Sequence, residues 1–70
     1  MRLFFERYGC RVDNKRAEVF CDSLQDMLAY CDKGSQVNDV FAVFDARQNL
    51  LASKENGKWV LTEEGKTYGI

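Results

Sequence analysis

Asn56-Gly57 lies between two runs rich in β-forming residues, Leu50-Leu51-Ala52-Ser53-Lys54 and Lys58-Trp59-Val60-Leu61. A two-residue type I′ loop needs positive φ at both central positions, and Asn and Gly accept it most readily. A hairpin closed there sets Glu55 opposite Lys58, a favourable cross-strand charge pair. Val40-Phe41-Ala42-Val43-Phe44 precedes it as a third strand. The chain is therefore constrained to a three-stranded antiparallel meander between Val40 and Leu61. Any further element has to pack on that platform.

Upstream, Leu3 to Tyr8 alternates as a strand, with Leu3, Phe5 and Arg7 on one side and Phe4, Glu6 and Tyr8 on the other. Arg16 to Cys21 alternates likewise, with Ala17, Val19 and Cys21 against Glu18 and Phe20. Gly9 suits a bulge and Asp13-Asn14 a turn, so these two strands form an N-terminal hairpin. Between hairpin and meander, Leu24, Met27, Leu28 and Cys31 recur at the i, i+3, i+4, i+7 spacing of an amphipathic helix. Ser23 followed by Asp26 fits a capping box, with Asp22 as a competing cap. Lys33 and Gly34 suit the last turn and its cap. So short a helix needs tertiary packing to persist.

The expected order is β-β-α-β-β-β. This is an α+β fold, a single antiparallel sheet with one helix packed on one face, forming one domain over residues 1–70. Residues 62–70 are expected to be a frayed tail or a short edge segment. A chain of 70 residues has a small core, and ordering it costs on the order of 100 kcal/mol, which apolar burial barely offsets. Its 46% hydrophobic and 30% charged residues are those of a soluble globular protein, and its nine aromatics argue against disorder. No apolar run is long enough to span a membrane or to serve as a secretory signal, so a cytoplasmic protein is expected.

Chemistry-bearing motifs are scarce. Cys10, Cys21 and Cys31 form no C-x-x-C, and histidine does not occur. A zinc site would need a carboxylate or a second chain, and an odd cysteine count does not make a disulfide framework. Free buried thiols are expected, with no metal and no cofactor. No nucleophile motif or glycine-rich phosphate loop occurs either, so the chain is not expected to be an enzyme.

Side-chain parity points to a surface instead. If the first turn of the meander is Ala46 to Asn49, Asp45 pairs with Leu50 and Val43 with Ala52. One face then carries Phe41, Val43, Leu50, Ala52, Trp59 and Leu61, and should pack under the helix. The other carries Val40, Ala42, Phe44, Leu51, Ser53 and Val60. A single helix covers one face only, so Phe44, Leu51 and Val60 become a candidate interaction surface for a partner or a second copy. A one-residue error in register would exchange the two faces.

Charge is segregated along the chain. Residues 1–16 balance at +3, residues 17–45 at −5 and residues 46–70 at +1. Arg7, Arg11, Lys15 and Arg16 could contact nucleic acid, although such binders usually carry a larger basic excess. Asp22 and Asp26 favour a helix N-terminus and could also face a basic groove on a partner.

Ser23-Leu24-Gln25-Asp26 at the head of the helix, followed by Leu50-Leu51-Ala52-Ser53-Lys54-Glu55-Asn56-Gly57-Lys58-Trp59-Val60 in the hairpin, resembles some small phage-encoded anti-CRISPR proteins. These include the strand–helix–three-strand kind that inhibit type I surveillance complexes. The resemblance covers roughly residues 17–61. It implies a non-catalytic phage or mobile-element inhibitor that occupies a binding surface on a large bacterial protein complex. The alternatives carried forward are a nucleic-acid-binding or regulatory module using the basic hairpin, and a structural homo-oligomer such as a homodimer.

Overall fold

The computed structural model describes residues 1–8, 15–33 and 39–68. Five strands form one antiparallel sheet: β1 (Arg2–Tyr8), β2 (Lys15–Phe20), β3 (Val40–Phe44), β4 (Leu50–Glu55) and β5 (Lys58–Leu61). Helix α1 (Leu24–Lys33) joins β2 to β3, and a one-turn helix α2 (Glu63–Lys66) follows β5. The sheet order is β2-β1-β3-β4-β5, so the N-terminal hairpin and the meander join through β1 and β3. The expected α+β architecture is the one observed. Gly9, Cys10, Arg11, the Asp13-Asn14 turn and Gly34 lie outside the described residues.

Local chemistry accounts for the element ends. The Asp26 backbone N–H donates to Ser23 Oγ at 3.1 Å, so Ser23 caps α1. Asn56 and Gly57 have φ of 53° and 78°, and Glu55 pairs with Lys58, as a type I′ turn requires.

Directly opposed residues share a face. Leu3 pairs with Val19, Phe5 with Ala17 and Val43, Val43 with Ala52, and Ala52 with Leu61. This inner face forms the core. Leu3, Phe5, Phe41, Val43, Leu51 and Ala52 are buried in one cluster with Leu24, Met27 and Cys31 of α1, and Trp59, Leu61, Leu28 and Tyr68 pack around it. Each fully buried Leu or Met side chain contributes about 1.5–3 kcal/mol.

Two expectations fail. First, the register of the β3–β4 turn differs: Phe44, not Asp45, pairs with Leu50, and the ladder shifts between Val43 and Phe44. Asp45 is drawn into the loop, where Oδ1 accepts from the backbone N–H of Arg47 and of Asn49, both at 2.9 Å. Oδ2 accepts from Asn49 Nδ2 at 3.0 Å, and Gln48 takes φ 68°. The extra residue of the bulge lets Leu51 and Ala52 both enter the core, each at 0% exposure. Leu51 is therefore no part of the outer face, and Leu50, 39% exposed, takes that place.

Second, the segment after β5 is neither frayed nor an edge strand where it is described. Thr62 caps α2 by accepting from the Gly65 N–H, and its hydroxyl donates to the Leu50 carbonyl at 2.6 Å. The Thr62 N–H donates to the Leu51 carbonyl at 3.0 Å. Thr62 followed by Glu63 and Glu64 is a helix-start signal legible in the sequence. No helix among the described residues is long and apolar enough to cross a membrane.

Candidate functional site: the outer face of the sheet

The face opposite the core is built by the alternate residues of every strand. Across it run Glu18, Phe4, Phe44 and Leu50, and next to them Arg16, Glu6, Ala42, Ser53 and Val60. Its two halves differ in chemistry.

The β1–β2 half is a neutralised charge lattice around one ring. Arg2 Nε lies 3.4 Å from Glu18 Oε1, and Arg16 Nη1 lies 3.6 Å from Glu6 Oε2. Both guanidinium groups also stand over Phe4, at 5.5 and 5.7 Å from the ring centroid. The Tyr8 hydroxyl donates to Glu6 Oε1 at 2.6 Å, and this bond raises the Tyr8 pKa above its ordinary value. Two positive and two negative charges thus cancel within the lattice.

The β3–β5 half is apolar. Val40, Ala42 and Phe44 are half-buried, Leu50 is exposed, and Val60 is 65% exposed. Phe20, on the far edge strand, is 77% exposed. Antiparallel sheets with one solvated face normally alternate to polar residues there, so exposed Leu50 and Val60 beside a half-buried Phe44 ask for a partner.

The basic residues do not gather into one patch. Arg16 belongs to the outer face, paired with Glu6, whereas Arg7 and Lys15 are opposed on the inner face. Arg7 Nε and Nη2 both donate to Asp39 Oδ2, at 3.0 and 2.7 Å, with Asp39 buried at 4% exposure. Arg11 lies outside the described residues. Asp22 and Asp26 are exposed at the start of α1, beside the Ser23 cap.

Two polar contacts escaped the sequence reading. One is the Arg7–Asp39 pair. The other is Asp32, near the end of α1, whose Oδ1 accepts from Lys54 Nζ at 2.5 Å and from Trp59 Nε1 at 3.1 Å. The hydrogen bond from Lys54, helped by the indole, holds the Asp32 carboxyl below its ordinary range. Parity carried a signal for both, because Arg7 alternates with Leu3 and Phe5, and Lys54 lies opposite Trp59 once Glu55 is paired with Lys58. A charged side chain on an apolar stripe needs a counter-charge.

Cys21 and Cys31 are free thiols, Cys21 half-buried and Cys31 buried. Burial pushes the Cys31 thiol up to about 12 from an ordinary 9.0. Its thiolate fraction is then lower by about a thousandfold at neutral pH. Cys31 is expected to react with a maleimide only on unfolding, while Cys21 reacts in the native chain; peptide mapping after a short pulse checks this. Among the described residues no group of three or more Cys, Asp or Glu side chains could hold a metal ion.

Comparisons with protein-family models, with curated proteins and with solved structures find no match for this chain.

Proposed function

We propose that this chain is a non-catalytic protein-binding module that docks through the outer face of its sheet and acts by occupying a surface on a larger protein. The observation that supports this reading is the apolar set on the face opposite the core: exposed Leu50 and Val60 beside half-buried Phe44, Val40 and Ala42. The partner it fits presents an apolar, weakly charged surface, because the charges on the β1–β2 half already cancel in pairs. A polyanion would find little net field on this face. The mode of action is the one implied by the anti-CRISPR resemblance: stoichiometric occupation of a site on a bacterial complex by a phage or mobile-element inhibitor.

Val60 is exposed on an edge strand, so Val60→Glu should keep the fold while placing a charge in the docking surface. Tagged wild type, Val60→Glu and, as a control on the opposite face, Lys33→Glu are compared in parallel captures from bacterial lysate. A partner held in stoichiometric amount by wild type and Lys33→Glu, and lost by Val60→Glu, is the expected result. Equal capture by all three would refute the outer face as the docking surface.

A second reading is self-association through the same face. It is favoured by that charge cancellation, since a second copy would meet no like-charge repulsion. Sedimentation velocity separates the two. The proposal expects a monomer at micromolar concentration, and a dimer dispersed by Val60→Glu would favour the second reading.

A further inference from the structure

A groove of 310 Å³ opens on the helix side of the sheet, lined by Phe5, Arg7, Lys15, Tyr30, Cys31, Lys33 and Phe41. Its size is that of a small-ligand site. Its base is aromatic: Phe5 and Phe41 are in ring contact at 6.2 Å, and Tyr30, half-exposed, stands 5.9 Å from Phe5. Among the described residues its charged lining carries one sign. Arg7 and Lys15 are direct cross-strand partners, an arrangement of like charges that costs stability. Lys33 adds a third cation from the last turn of α1. Asp39 is paired with Arg7, and no carboxylate lines the groove among the described residues. Lys15 and Lys33 form no ion pair among the described residues.

We infer that this groove is a second binding site, for a small aromatic anion. The ring of such a ligand would lie against Phe5, Phe41 and Tyr30. Its phosphate or carboxylate would be held by Lys15 and Lys33, with Arg7 fixed in place by Asp39. Aromatic faces and cations placed together suit a ligand that carries both a flat apolar body and negative charge. The site lies across the sheet from Phe44 and Val60, so it stands or falls independently of the docking surface.

The test is a ¹⁵N–¹H NMR titration of the full chain with phenyl phosphate, beside inorganic phosphate (charge without ring) and benzyl alcohol (ring without charge). Phenyl phosphate is expected to shift Phe5, Tyr30, Cys31, Lys33 and Phe41 and to bind more tightly than either fragment. Lys15→Glu combined with Lys33→Glu should weaken it by roughly tenfold or more, the scale of one lost charge-assisted contact. Both lysines are exposed, so the spectrum of that variant should stay dispersed and native. Tyr30→Ala should weaken phenyl phosphate and leave inorganic phosphate unchanged, and Val60→Glu should change neither. The inference is overturned if the lysine variant binds phenyl phosphate as wild type does. It is equally overturned if inorganic phosphate binds as tightly as phenyl phosphate, or if the shifts fall on the outer face.

Discussion

Replacing Asp39 with alanine is expected to cost about 3 kcal/mol, enough to unfold much of a chain this small. The carboxylate is 4% exposed and accepts two hydrogen bonds from the Arg7 guanidinium. Arg7 is only 24% exposed along its side chain and stands over the Phe41 ring. Removing the acid leaves a cation without its partner against an apolar wall, and the desolvation cost of that cation is then unopposed. The pair itself contributes less than its removal costs, because both charges had to leave water to form it. Arg7→Met combined with Asp39→Ala should therefore recover a large part of the loss. Urea unfolding of wild type and the two variants checks this. A cost for Asp39→Ala below about 1 kcal/mol, the level of a surface ion pair, would contradict it.

Gly65→Ala is the second large effect, expected at about 3 kcal/mol from overpacking. Gly65 has no positive φ to protect; what requires glycine is proximity. A Cβ there would lie 2.0 Å from the Leu51 carbonyl oxygen and 2.9 Å from its carbonyl carbon. Both atoms are backbone of β4, so no side-chain rotation relieves the clash, and α2 has to lift away. The hydrogen bonds from Thr62 to Leu50 and Leu51 should go with it. Gly57→Ala is the control: nothing lies within 4 Å of its added Cβ, and its cost, about 1 kcal/mol, comes from φ 78° alone. Amide exchange at Thr62 should accelerate in Gly65→Ala and stay unchanged in Gly57→Ala.

These two effects mark where sequence reading reaches its limit. Alternation located β1 and β2 and their faces, Asn56-Gly57 located the β4–β5 turn, and the Leu24-Met27-Cys31 spacing with Ser23 located α1. All of these are local patterns, set by periodicity or by a turn residue. The bulge at Leu51 is not, because it depends on Asp45 leaving the ladder to bind Arg47 and Asn49 within the loop. One such residue exchanges Leu50 and Leu51 between the faces, so parity places Phe44 and Val60 on the outer face but misplaces β4 by one position. Gly65, and the choice of Asp39 as the counter-charge Arg7 needs, are legible only after folding, since each acts on a chain segment distant in sequence.

On the proposed docking mode, the outer face is free in the isolated chain and covered when the chain acts. Hydroxyl-radical footprinting of the free chain and of its captured complex tests that directly. Phe20 and Val60, 77% and 65% exposed on that face, and Tyr30, 50% exposed on α1, act as reporters in one sample. Complex formation is expected to protect Phe20, Phe44 and Val60 while Tyr30 is labelled as before. Protection confined to Tyr30, with Val60 still labelled, would contradict it.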